Sequence, residues 1–319
     1  MKTTHTADVW IQAEDGIIGG RVMRSALRIT MSSRHVLSTI SGQDRTRIGN
    51  RSHRASATQP EARGNMNGES IAHKAYCVTY CIGVMLDKGM IFASDSRTNA
   101  GVDNFAKFCK MTVFERRGNR VIVLLSSGNL AGTQAVISVL TQRCADGDAA
   151  TNVLGARTMF DVVRLVSDAT RDIEKRDAGY LEENNIRFDA SFIVGGQISG
   201  EPMRLFRTYA EGNFIEAGTE TPFFQTGETK YGKPILDRVL TQHTTIADAT
   251  KCVLVSFDST MRSNLSVGMP IDLICYERDT LEVHWRRRFD EGDPYFTALG
   301  HEWGEGVRQV FRHLPELRW

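Results

Sequence analysis

The sequence has no apolar run approaching the ~18 residues a membrane-crossing helix needs. Near its start, Val9-Trp10-Ile11 is cut off by Gln12-Ala13-Glu14-Asp15, so no secretory signal is read and the expected location is the cytoplasm. Six cysteines (Cys77, Cys81, Cys109, Cys144, Cys252, Cys275) form no C-x-x-C pair, and none joins a histidine at zinc-finger spacing. Several lie in apolar runs and read as buried free thiols of a reducing compartment. His243, His284, His301 and His313 are dispersed, so no metal or other cofactor is expected. G-x-S-x-G, P-loop and G-x-G-x-x-G motifs are missing, which removes the commonest serine-hydrolase and nucleotide-binding signatures. No solenoid repeat is found. Net charge is only +1, so bulk charge implies neither a nucleic-acid nor a membrane partner. The run Trp285-Arg286-Arg287-Arg288 reads as a solvated edge or a subunit contact rather than a nucleic-acid site.

What is present divides at residue 79. Residues 1–78 hold 11 Lys and Arg against 6 Asp and Glu, a balance of +5, which leaves −4 on residues 79–319. The first segment is rich in Ser, Thr, Arg, His and Gly. Between 41 and 67 its large apolar residues are Ile48 and Met66. Such a stretch buries too little surface to offset its ordering entropy, so 1–78 is expected to be a disordered basic extension, with a short helix over 24–40 the one weak exception.

From Thr79 the pattern alternates. Strands are expected at 79–86 and 90–94 across an Asp87-Lys88-Gly89 turn, and at 109–115 and 120–126 across Arg116-Arg117-Gly118-Asn119, with a Gly/Asn/Asp-bearing loop at 98–108. Asn129 caps a helix to about 143, and a second helix covers about 158–176. Strands resume at 189–195, 203–209, 213–216 and 223–227. Helices follow at about 230–240 and 246–262, the latter opened by a capping-box-like Thr245 and Asp248. Strands at 270–277 and 282–287 and a helix over 294–314 complete the chain. Strands, two helices, strands, two helices, strands: this order predicts an α+β fold of segregated layers, two antiparallel sheets covered by helices.

Three places can carry chemistry. A threonine hydroxyl is a poor nucleophile without an adjacent base. In mid-chain Thr79 is an ordinary strand residue. At a chain terminus its own α-amine, with a pKa of roughly 7.7–8.0, becomes that base. Asp95 at a strand end and Lys110 at a strand start are each unremarkable alone, as a turn residue and a solvated cation. As a buried pair, the ammonium would lower the pKa of groups on Thr79 while the carboxylate keeps it charged and aimed. Ser126-Ser127-Gly128-Asn129 sits where a strand gives way to a helix, either as a plain connector or as a place for N–H groups facing an oxyanion. The hydroxyl/glycine turns at Thr226-Gly227 and 263–268 are weak as lone motifs.

Taken together, Thr79-Tyr80-Cys81, the stretch 93–101 (ASDSRTNAG), 125–131 (LSSGNLA) and 258–266 (DSTMRSNLS) resemble the bacterial proteasome-related family Anbu, the ancestral beta subunit. The resemblance covers essentially all of 79–319. It implies the N-terminal nucleophile hydrolase fold, a four-layer α-β-β-α sandwich, and a homo-oligomeric ring or helical assembly. It implies Thr79 as nucleophile, Asp95 and Lys110 as active-site partners, and Gly128 as the oxyanion glycine. Thr226 and Ser266 fall where proteasomal subunits place hydroxyls near the terminal amine. Ser126 and Leu130, flanking the glycine, are expected to shape the substrate pocket.

Two departures accompany the resemblance. Ser263 stands where proteasomal β subunits carry an aspartate, and Asp258, one helical turn earlier, is the candidate substitute. Val78 precedes Thr79 where proteasomal propeptides usually end in glycine. Because a GTG codon encodes valine internally and also starts bacterial translation, 1–78 is read as a misassigned start, with an autocleaved propeptide as the alternative. The implied function is a threonine peptidase acting on a peptide or protein substrate. The competing classes are a self-assembling ring or scaffold subunit with little activity and a dedicated amidase. The sequence identifies no unfoldase partner.

Overall fold

A computed structural model of the chain describes residues 8–10, 79–99, 105–148, 150–183 and 188–319. The described residues belong to one compact unit. Of the expected basic extension only Asp8–Trp10 is described. The expected disorder of the remainder and the helix over 24–40 lie outside the described residues.

Strand β1 (Asp8–Trp10) pairs antiparallel with β6 (Met111–Arg116) at one edge of a six-stranded sheet. That sheet continues through β7 (Arg120–Gly128), β8 (Ala190–Ile198), β9 (Arg204–Thr208) and β10 (Phe214–Glu216). The second sheet runs β11 (Phe223–Gly227), β2 (Tyr80–Leu86), β3 (Gly89–Asp95), β12 (Ile271–Glu277) and β13 (Trp285–Phe289). A small hairpin of β4 (Arg97–Asn99) and β5 (Phe105–Lys107) occupies the stretch expected as loop. Its Gly/Asn/Asp residues concentrate in 100–104, outside the described residues, and the flanks satisfy their backbone groups by pairing.

Alternation along the strands builds three cores. In β2, Ile82, Val84 and Leu86 join Ile91 and Ala93 of β3 against α3 (Lys233–Val239) and α4 (Ile246–Ser263). In β7, Ile122 and Leu124 face α1 (Leu130–Asp146) and α2 (Met159–Glu182), together with Phe192 and Val194 of β8. The residues of opposite parity, among them Cys81, Phe92, Val121, Val123, Leu125 and Ile193, meet between the sheets. Period-2 strands buried on both faces therefore give helix, sheet, sheet, helix: the α-β-β-α sandwich. Each fully buried Phe, Ile or Leu here contributes about 1.5–3 kcal/mol.

Local signals set the boundaries. Asn129 accepts from the Gly132 N–H at 3.0 Å to cap α1, and Thr245 accepts from the Asp248 N–H at 3.1 Å to cap α4. α3 starts later than expected because Pro234, lacking an N–H, fits the first helical turn. α5 (Pro294–Arg312) packs on α4, with Phe296 buried beside Phe289. Trp285 and its arginines lie on β13, an exposed edge strand. Cys81 and Cys252 are buried free thiols, while Cys109, Cys144 and Cys275 are half-buried. Among the described residues, no helix is long and apolar enough to cross a membrane.

Candidate active site

The first hairpin fixes the centre of the site. Leu86 pairs with Gly89, leaving a two-residue Asp87-Lys88 turn, and the register runs back through Cys81 opposite Ser94. One step further, Tyr80 faces Asp95, and its N–H donates to Asp95 Oδ1 at 3.0 Å. Thr79 therefore lies beside Asp95, and its hydroxyl donates to the same oxygen at 3.1 Å. A turn one residue longer would rotate Asp95 to the opposite face of its strand.

The third donor comes from the other sheet. Lys110 immediately precedes β6, and its Nζ reaches Asp95 Oδ1 at 2.7 Å and the Arg97 carbonyl at 2.6 Å. Thr79, Asp95 and Lys110 are all buried. Burial pushes the Asp95 carboxyl up from its ordinary value; the Lys110 ammonium, the Tyr80 N–H and the Thr79 hydroxyl pull the other way. All three donors converge on Oδ1, while Oδ2 is buried without a hydrogen-bond partner among the described residues. Neighbouring Cys81 is fully buried and its thiol is pushed well up, so it stays protonated and is no rival nucleophile.

Two strand ends complete the surroundings. Ser126 donates from its N–H at 2.9 Å and from Oγ at 3.3 Å to the Lys110 carbonyl, fixing the backbone that carries the lysine. Gly128 ends β7 at φ +103°, and a β-carbon there would run into the Asp189 carbonyl. Only glycine takes this corner without strain. Leu130 opens α1 two residues later, half-buried. On the other flank, β11 pairs with β2 so that Thr226 faces Cys81. Thr226 points between the sheets, and its hydroxyl shares a 3.0 Å hydrogen bond with Ser191. Gly227, at φ +83°, packs against the Thr79 carbonyl, which accepts from the Glu228 N–H at 2.6 Å.

The turn after α4 carries Ser266, half-buried, with its N–H donating to Asn264 Oδ1 at 2.9 Å. Ser263 is exposed. The suggestion that Asp258 replaces the missing aspartate is not supported. Its carboxylate accepts from Arg262 Nε at 2.9 Å and lies against Gly300 of α5. Asp258 follows Phe257, a core residue, and one step along a helix turns a side chain by about 100°. Sequence reading also missed Ser191, Glu228, Asn264 and the Arg97 carbonyl. Their contacts span 35, 36 and 13 residues, and no local spacing signals them.

No protein-family model matches the chain, and no curated protein does. Solved structures do. A Gly-1 mutant of Anbu from Hyphomicrobium sp. strain MC1 is 48% identical with a TM-score of 0.71, matching 76% of this chain and 100% of that one. Anbu from Yersinia bercovieri is 45% identical with a TM-score of 0.71, over 75% and 99% of the two chains. The helical assembly of the Anbu complex from Pseudomonas aeruginosa is 47% identical with a TM-score of 0.72, over 75% and 98%.

Proposed function

The chain belongs to the Anbu family of proteasome-related N-terminal nucleophile hydrolases, and on that premise we propose that it hydrolyses peptide or amide bonds through Thr79 once the amine of that residue is free. The observation that carries this reading is the convergence of the Thr79 hydroxyl and the Lys110 ammonium on one buried oxygen of Asp95, at 3.1 and 2.7 Å. Residues 79–319 make up about the share of this chain that the Anbu structures match over their whole length, in keeping with a working domain that starts at Thr79.

In this reading Thr79 Oγ1 attacks the substrate carbonyl carbon and its proton passes to the Thr79 amine. Lys110 lowers the cost of the developing alkoxide, and Asp95 holds Lys110 charged and aimed. The Gly128 N–H binds the oxyanion, a donor of a kind worth about 10²–10³ in rate. As the intermediate collapses, the amine proton leaves with the departing nitrogen. Water then cleaves the ester, releasing a carboxylic acid and restoring the threonine hydroxyl. Thr226 and Ser266 steady the groups around the amine, and Ser126 and Leu130 line the pocket. The reaction draws on no cofactor and runs in the cytoplasm.

A second reading, a self-assembling subunit with little activity, has its own support. The likeness to Anbu structures, one of them a helical assembly, backs assembly more directly than proteolysis. Trp303, Val307, Val310 and Phe311 are exposed on α5, an apolar row that a neighbouring copy can cover. Ser263 also leaves the turn after α4 without the proteasomal aspartate. Peptide-library hydrolysis by protein whose chain starts at Thr79, with Thr79→Ala as control, separates the readings. Cleavage lost in the variant supports the hydrolase. Equal inactivity of both proteins, with assembly intact, supports the scaffold.

A further inference from the structure

The geometry points to Glu228 as a positioning residue for the Thr79 site, acting through Asn264; this inference rests on the hydrolase reading above. Three bonds meet at Glu228: a local one, in which the Lys230 N–H donates to Glu228 Oε1 at 3.3 Å, and two that reach across the chain. The Glu228 N–H donates to the Thr79 carbonyl at 2.6 Å, and its Oε2 accepts from Asn264 Nδ2 at 2.8 Å. Asn264 ends α4: its N–H donates to the Thr260 carbonyl at 2.8 Å, and its Oδ1 accepts from the Ser266 N–H at 2.9 Å. Two side chains thus connect the Thr79 backbone to the turn that carries Ser266.

The far side of that turn is also held. Arg97 Nη1 donates to the Leu265 carbonyl at 2.9 Å, and the Arg97 carbonyl accepts from Lys110 at 2.6 Å. The contacts therefore close a circuit: Thr79 to Asp95, Lys110, Arg97, the 264–266 turn, Glu228 and back to Thr79. Asp258 is committed to Arg262 and α5, whereas Glu228 is tied to both Thr79 and the Ser266 turn. Networks of this kind act as a unit, so removing one member releases the others.

Glu228 holds the turn as a hydrogen-bond acceptor, and glutamine can serve in its place. Glu228→Ala, Glu228→Gln, Asn264→Ala and the double Glu228→Ala/Asn264→Ala are compared in protein starting at Thr79. The readouts are acylation by a peptidyl epoxyketone, the kcat and KM of peptide hydrolysis, hydrogen exchange over 263–268 and thermal midpoint. Glu228→Ala is expected to slow acylation about tenfold through kcat rather than KM, through the loss of the charge-assisted hydrogen bond from Asn264. Glu228→Gln stays within about threefold. The double variant is no slower than either alanine variant, exchange over 263–268 rises in all three, and the midpoint barely moves. Unchanged acylation in Glu228→Ala, or losses that multiply in the double variant, overturn the assignment while leaving the hydrolase reading intact. Wild-type protein that is never acylated overturns the hydrolase reading. In that case exchange alone decides whether Glu228 holds the 263–268 turn: faster exchange over 263–268 in Glu228→Ala sustains it, and unchanged exchange removes it.

Discussion

Lys110 Nζ lies 2.7 Å from Asp95 Oδ1, and the pair ties the start of β6 in one sheet to the end of β3 in the other. Both groups are buried, so neither can be removed alone without leaving an uncompensated charge. Lys110→Ala is expected to cost about 3–5 kcal/mol in denaturant unfolding and to abolish acylation of Thr79. Asp95→Asn with Lys110→Met removes both charges at similar volume. That double variant should recover most or all of the stability and none of the reactivity, which separates the pair's role in the fold from its role at Thr79.

The same pair has a pH signature. Burial holds the Asp95 carboxyl above its ordinary value, so the folded protein keeps its proton to a higher pH than the unfolded chain, which releases it near 3.9. The stability this group contributes is therefore present below about pH 3.9 and is lost as pH rises through the folded value. Unfolding free energies measured from acid to neutral pH should fall less in Asp95→Asn/Lys110→Met than in wild type. A steeper fall in the double variant contradicts the sign.

Much of the sandwich is legible in the sequence because alternation and capping are local. β2 and β7 announce their two faces by parity, and Asn129 and Thr245 announce the helices they cap. The nearness of Thr79 to Asp95 is nearly as local, since a two-residue turn carries the register. Lys110 is different. Nothing in its neighbourhood says that it crosses between sheets, and by sequence it reads equally as a solvated cation or as a buried partner of Asp95. Glu228 and Asn264 were illegible because each looks like an ordinary polar turn residue, and their meeting depends on how β11 and α4 end in space. Asp258 lies near Ser263 along α4, but the rotation of the helix carries its carboxylate to Arg262 and α5.

Gly128 offers a backbone test. At φ +103°, with the Asp189 carbonyl where a β-carbon would sit, Gly128→Ala strains the corner and shifts the strand end. The expected loss is about 1–3 kcal/mol of stability together with about 10²-fold in acylation rate. Gly147→Ala serves as control: it also has a positive φ, at +79°, but with open space around it, and it should lower stability while leaving acylation unchanged. Equal acylation in both variants contradicts the role of Gly128.

Assembly is testable on α5. Val310→Asp with Phe311→Asp alters exposed residues only, so the subunit should fold with its thermal midpoint nearly unchanged. Sedimentation should show smaller species than wild type if a second copy covers this face. An unchanged size distribution assigns the contact elsewhere.

The central claim is that the Thr79 hydroxyl and the Thr79 amine act together. A peptidyl epoxyketone reports on both, because its stable adduct closes a ring through the hydroxyl and the α-nitrogen of one terminal threonine. Protein isolated from its native source is treated with the reagent, digested and mapped by mass spectrometry. The prediction is a stoichiometric adduct on a peptide whose first residue is Thr79, absent from Thr79→Ala. An unmodified peptide running through Val78 into Thr79 would contradict it.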